Sequence, residues 1–127
     1  MRIGLLEDDV ATQEMVLLVL QEEGHTATIY ADAEECLRAL GVGNQQPVSI
    51  PIDLLIVDWR LGGPISGVEV IQQIRQDKQM QDLPIILTTA APFNNVELLK
   101  ILHVALLEKP FSVDDMTMLV QRVAQPQ

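Results

Sequence analysis

The stretch Ile3-Gly4-Leu5-Leu6-Glu7-Asp8-Asp9 decides how this chain reads: a short apolar run, then three carboxylates. A second apolar run, Leu54-Leu55-Ile56-Val57, also ends on a carboxylate, Asp58. Two further short apolar runs end on Thr89 and just before Lys109. In an open α/β sheet, strand ends are where sites are built. Carboxylates, a hydroxyl and one lysine gathered at a single sheet edge predict a site for a divalent metal and phosphoryl transfer.

Outward from that stretch, short apolar runs alternate with helical patterns five times, which predicts a βα repeat and a parallel sheet. The expected strands are 3–6, 26–30, 52–57, 84–89 and 105–107. The second alternates polar and apolar residues, as an edge strand does, and the third is the most apolar, hence central. Asp9 caps the first helix and Gly24 stops it. Asp32 and Glu35 form a capping box, and Gly41 ends that helix. Val68, Ile71 and Ile74 space a third helix over 68–75. Asn94 or Asn95 caps a fourth, reaching about Leu102. Ser112 with Asp115 opens a fifth, whose apolar stripe is Met116, Leu119, Val120 and Val123. Residues 41–51 read as a long loop, a tolerated surface insertion. Met15, Met80, Met116 and Met118 are expected in or near the core, with Cys36 a small buried hydrophobe.

At 127 residues the chain is expected to be one domain, 1–127. With 8 basic and 18 acidic residues its net charge is −10, which opposes direct nucleic-acid binding. A single cysteine excludes an internal disulfide framework and fits a reducing compartment. Met1-Arg2 leads straight into a strand, so no signal peptide is expected, and no apolar run approaches a membrane span. The composition therefore reads as a soluble cytoplasmic domain.

Each motif alone has a plainer reading. An acidic triplet is often a solvated turn with a helix cap, a strand-end threonine is often structural, and a lysine before proline is often a surface residue. The ordered set outweighs these. Glu7 and Asp8 after strand one, Asp58 ending strand three, Thr89 before Ala90, and Lys109-Pro110-Phe111 resemble the receiver domain of two-component response regulators (the CheY-like family). Pro84 and Gly67 add to the likeness, which covers essentially the whole length.

The resemblance implies a five-stranded, doubly wound (βα)5, flavodoxin-like fold with strand order 2-1-3-4-5. It implies Asp58 as phosphoacceptor, and Mg2+ held by Glu7, Asp8, Asp58 and the backbone carbonyl of Arg60. Thr89 and Lys109 are the implied phosphoryl-binding pair; Thr88 is a rival to Thr89, but only Thr89 precedes the small residue. The chemistry suits these residue types. A carboxylate attacks phosphorus poorly unless the phosphoryl charge is neutralised, and magnesium takes oxygen ligands. Asp9 is left as a helix cap, and Trp59, beside Asp58, as a reporter. A histidine kinase or phosphotransfer protein is the implied donor, with output to a downstream protein partner and no turnover of a free metabolite.

Several positions depart from the family pattern, and Gly67 itself comes one position later than is commonest. Gly62 stands where proline is usual, with Pro64 two residues later; Leu106 replaces the switch aromatic; Leu102-His103 replaces Gly-Ala before strand five. The output face is therefore expected to be rewired, with Ile101, Leu102, Val104 and Leu106 as an apolar partner surface. Arg60 and Ala91 hold the positions that tune the phosphoryl lifetime in the family. Rival readings are a phosphorylation-independent pseudo-receiver and a metal-dependent phosphatase with an aspartyl nucleophile. The phosphatase needs Asp-x-Asp after strand one, where Glu7 and Asp9 stand. A flavin carrier needs phosphate donors where this chain has carboxylates.

Overall fold

The computed structural model describes residues 1–90 and 92–124. Strands and helices alternate throughout: β1 (Arg2–Leu6), α1 (Val10–Glu22), β2 (Thr26–Tyr30), α2 (Ala33–Leu40), β3 (Leu54–Asp58), α3 (Gly67–Gln76), β4 (Ile85–Ala90), α4 (Val96–Leu102), β5 (Ala105–Lys109) and α5 (Val113–Ala124). All strand pairs are parallel, in the order β2-β1-β3-β4-β5. The doubly wound fold and its strand order are those expected. The boundaries shift slightly: Ile52 is buried but precedes β3, Asp58 belongs to it, and β5 continues to Lys109.

The period-two geometry of a strand sorts the core into two layers. Leu54 and Ile56 of β3 face α1 and α5, among Val16, Leu20, Met116 and Val120. Leu55 and Val57 face the other way, towards Ile71 and Ile74 of α3 and Leu40 of α2. Full burial of each such side chain stabilises the fold by about 1.5–3 kcal/mol.

Helix starts follow local chemistry. Asp9 accepts the Thr12 N–H, Asp32 the Glu35 N–H, Asn95 the Leu98 N–H, and Ser112 and Asp115 cap each other. Asn95, rather than Asn94, is thus the α4 cap. Ser66 accepts the Glu69 N–H and starts α3 at Gly67, a cap the apolar spacing did not reveal. Each cap contributes about 1 kcal/mol.

Two expectations are corrected and a third is extended. Met15 and Met118 are solvent-exposed, on the outer sides of α1 and α5, while Met80 and Met116 are buried. The supposed apolar output face splits: Leu102 is buried, Val104 and Leu106 are half-buried, and only Ile101, 69% exposed, is open to solvent. Helical periodicity turns Leu102 inward one residue after Ile101 turns outward. The segment 41–51 is a surface loop, as expected, and it is tied down. Gly43 N–H donates to Asp77, Val48 N–H donates to Gln79, and the Gln79 amide donates to the carbonyls of Asn44 and Gln46.

The turn from α4 to β5 has its own support. His103 caps α4 with a left-handed backbone, φ 54°, which favours glycine. Arg75 donates to the carbonyls of Leu102 and His103 on one side and of Gln81 and Leu83 on the other. This guanidinium clamp holds the turn that a glycine would otherwise ease.

Candidate metal and phosphoryl site

Parallel register brings the candidate residues to one edge. Leu6 pairs with Val57, so the next residues, Glu7 and Asp58, leave the sheet side by side. Asp58 pairs with Thr88 and Thr88 with Leu107, so Lys109 stands two residues beyond that level on β5, and its long side chain reaches back to the carboxylates. Lys109 Nζ lies 3.2 Å from Glu7 Oε1 and 3.4 Å from Asp58 Oδ1. The Glu7 and Asp58 side chains are only 2% and 9% exposed, and that of Lys109 is 31% exposed. Asp8 is solvent-exposed, yet one oxygen from each of Glu7, Asp8 and Asp58 falls in a cluster no more than 4.8 Å across.

Burial pushes the Glu7 carboxyl above its usual range; the Asp9 N–H opposes this, and the Asp58 charge adds to it. Burial draws the Lys109 ammonium down, but Asp58 and Glu7 together outweigh it and leave it raised. Lys109 is therefore a resident cation at neutral pH. Three carboxylates against one ammonium still leave two negative charges, the amount one divalent ion offsets. The donors are all oxygens, which suit a hard cation. Ligands at about 2.1 Å around one octahedral ion lie at most about 4.2 Å apart. Adjacent ligands lie about 3.0 Å apart, so the three carboxylates would draw inward from within 4.8 Å to meet one ion, and their all-oxygen donor set fits magnesium.

Neighbouring elements hold these groups in place. Glu7 Oε2 accepts the Asp9 N–H at 3.2 Å, and the Glu7 carbonyl accepts from the Gln13 amide at 2.6 Å. Gln13 was not singled out in the sequence; its only signal is its place one turn into α1. Asp9 is committed to α1, taking both the N–H and the hydroxyl of Thr12, which lower its pKa. Thr88 pairs with Asp58 in register, and its hydroxyl donates to the Val57 carbonyl at 3.4 Å. Thr89 is also buried, and its hydroxyl makes no hydrogen bond among the described residues. Arg60 is exposed in the loop after β3. Ala91 lies outside the described residues.

Two glycines shape that loop. A β-carbon on Gly67 would overlap the Asp58 carbonyl oxygen, so only glycine lets α3 start against the end of β3. A β-carbon on Gly62 would stand 2.8 Å from Asp8 Oδ2. The Asp8 carboxylate thus occupies space that a side chain at position 62 would claim. At the edge of the site the Trp59 and Phe93 rings meet edge to face, with centroids 5.2 Å apart. Phe93 N–H donates to Glu108 Oε2 at 2.8 Å, tying Phe93 to β5. Leu106, two residues before Glu108, is half-buried beside Leu87.

Comparison with known proteins agrees with this geometry. The response regulator receiver domain family matches residues 3–121. The chain is similar to the phosphate regulon transcriptional regulatory protein PhoB of Pseudomonas aeruginosa, 29% identical over 87% of this chain and 45% of that protein. It therefore spans less than half of that relative. Among solved structures it is similar to the response regulator TrrA of Thermotoga maritima, solved in complex with Mg(2+)-BeF. That likeness has a TM-score of 0.78 and 30% identity, covering 96% of this chain and 97% of that one. The fold alone is shared with chemotaxis protein CheY4 of Vibrio cholerae, at TM-score 0.80 and 22% identity over 96% and 97% of the two chains. Fold, carboxylate cluster and family match together establish that the chain belongs to the response regulator receiver domains of two-component systems.

Proposed function

We propose that Asp58 is the phosphoacceptor of a magnesium-dependent signalling switch. The observation that carries this reading is the lysine bridge: Lys109 reaches both Glu7 and Asp58, beside an oxygen cluster no more than 4.8 Å across that could hold a divalent ion. A Asp58 oxygen attacks the phosphorus of a phosphohistidine on a histidine kinase or phosphotransfer protein. The donor's P–N bond breaks and an acyl phosphate forms. Glu7, Asp8 and Asp58, with the Arg60 carbonyl, would hold Mg2+. When bound, that ion offsets charge on the phosphoryl oxygens, which makes attack by a carboxylate feasible. Lys109 meets one phosphoryl oxygen as a point charge, and the Thr89 hydroxyl donates to another. The new charge on Asp58 then draws on Thr89 and the segment following β4, and output passes to a protein partner. The TrrA complex with Mg(2+)-BeF supports the metal requirement by analogy. A cytoplasmic setting suits the free, buried Cys36.

The test is intact mass after incubation with magnesium and acetyl phosphate, beside Asp58→Asn. A gain of one phosphoryl group, lost in the variant, is the expected result. No gain, together with no response of Trp59 fluorescence to magnesium, would reject the switch and favour a phosphorylation-independent module.

A further inference from the structure

Beside the carboxylate cluster, a groove of about 740 Å³ opens between the segment joining β2 to α2 and the loop after β3. Its size is that of ligand-binding clefts, roughly 300–1,000 Å³. Half-buried Leu37, Val42, Leu61 and Ile65 supply apolar lining. The charged lining residues are Asp8, Asp32 and Glu34, against Arg38 alone. The Asp32 carboxylate is occupied by the start of α2, which leaves Asp8 and Glu34 exposed to an occupant. Asp8 is the residue shared by the groove and the carboxylate cluster. Its carboxylate is turned onto Gly62, in the loop that walls the groove.

We infer that this groove docks a basic amphipathic segment of a partner protein, and that the occupant competes with the divalent cation for Asp8. Apolar side chains of such a segment cover the half-buried leucines, valine and isoleucine, one lysine or arginine pairs with Asp8, and a second pairs with Glu34. Charge complementarity selects this occupant. A purely apolar segment would desolvate Asp8 and Glu34 without a partner, and an acidic one would meet a chain of net charge −10. One carboxylate facing both neighbours serves each less well when the other is present. The coupling is therefore negative, and by linkage it is reciprocal. Docking would hold the switch in a low-magnesium, unphosphorylated state, a regulation that rests on Asp8 being a metal ligand.

The probe is a short helical peptide of leucine and lysine, added to the 15N-labelled chain and followed by amide chemical shifts. A leucine–glutamate peptide serves as control. The expected result is saturable shifts at Leu37, Val42, Leu61 and Ile65 with the basic peptide only. Magnesium affinity, read from Trp59 fluorescence, should weaken on the order of tenfold at saturating peptide, within the usual range of site–site coupling. Glu34→Lys, at an exposed position, should weaken the peptide severalfold and leave magnesium affinity unchanged. Shifts that map instead to the exposed sides of α1 or α4 overturn the inference, as does magnesium affinity indifferent to bound peptide. Asp58→Asn should retain the peptide shifts. Groove binding with magnesium competition but no phosphorylation of the wild type would count against the switch alone.

Discussion

Replacing Lys109 by methionine removes its charge and keeps most of its stem. At an effective dielectric of ~20, each contact of Lys109 Nζ, at 3.2 Å to Glu7 and 3.4 Å to Asp58, is worth about 5 kcal/mol of Coulomb attraction. Desolvation of the three groups offsets much of this, and water screens a lysine side chain that is 31% exposed. The variant leaves Glu7 and Asp58 facing each other, nearly buried and unpaired. The expected net loss is about 1–3 kcal/mol without metal, below the roughly 3–5 kcal/mol of a fully buried pair. For a domain of this size that lowers Tm by about 3–5 °C per kcal/mol.

Magnesium should reverse the effect. The ammonium no longer competes with it, so the cation binds the variant more tightly and stabilises it by mass action. The assay is urea unfolding followed by circular dichroism, in chelator and in saturating magnesium. The deficit should be large in chelator and small in magnesium. It should also fade at high pH, because the lysine's folded pKa is raised. Its contribution is fully present below the ordinary value of 10.5 and is lost as pH rises through the folded value. An equal deficit in both media, or none in chelator, would refute the view that Lys109 stands in the cation's electrostatic place.

Other outcomes follow from single contacts. Gly67→Ala sets a β-carbon on the Asp58 carbonyl oxygen, a backbone atom that cannot yield, and should cost at least about 2 kcal/mol in denaturant unfolding. Phe93→Leu should shift Trp59 emission and cost about 0.5–1.5 kcal/mol, with a double-mutant cycle against Trp59→Leu isolating the pair; unchanged emission would count against the ring contact. Burial pushes the Cys36 thiol up to about 12, so native protein should resist alkylation at neutral pH and react fully once unfolded. Hydrogen bonds from Arg2 hold the Asp53 carboxyl at about 2, below its ordinary 3.8. Its stabilisation is present above 3.8 and lost as pH falls through the folded value. An NMR titration should show that midpoint rise towards the ordinary value in Arg2→Gln, which removes the guanidinium but keeps the Arg2 N–H donated to Asp53.

Much of this was legible because it is local or periodic. Apolar runs of strand length, broken by helical spacing and capping residues, specify a βα repeat wherever they occur. Asp9, Asp32 and Ser112 cap helices through bonds that span three residues, so their neighbours in sequence suffice to place them. The site residues were legible for a related reason. In a parallel sheet every strand points the same way, so residues that end strands arrive at one edge.

What escaped the sequence depends on groups far apart along the chain. Arg75 binds carbonyls on both sides of β4 and so permits a left-handed His103; nothing local announces either. Gln79 and Asp77 tether a loop more than thirty residues earlier. Residues on one helix are turned in or out by what packs against them, which buried Leu102, exposed Ile101 and put Met15 and Met118 in solvent. By itself the sequence determined the order of the elements and which residues end the strands, since propensity, capping and periodicity act over a few residues. Tertiary structure alone decided the distances. It brought Lys109 against Glu7 and Asp58, turned Asp8 towards Gly62 and the groove beyond, and set Phe93 on Trp59, because through-space packing and electrostatics have no counterpart in sequence separation.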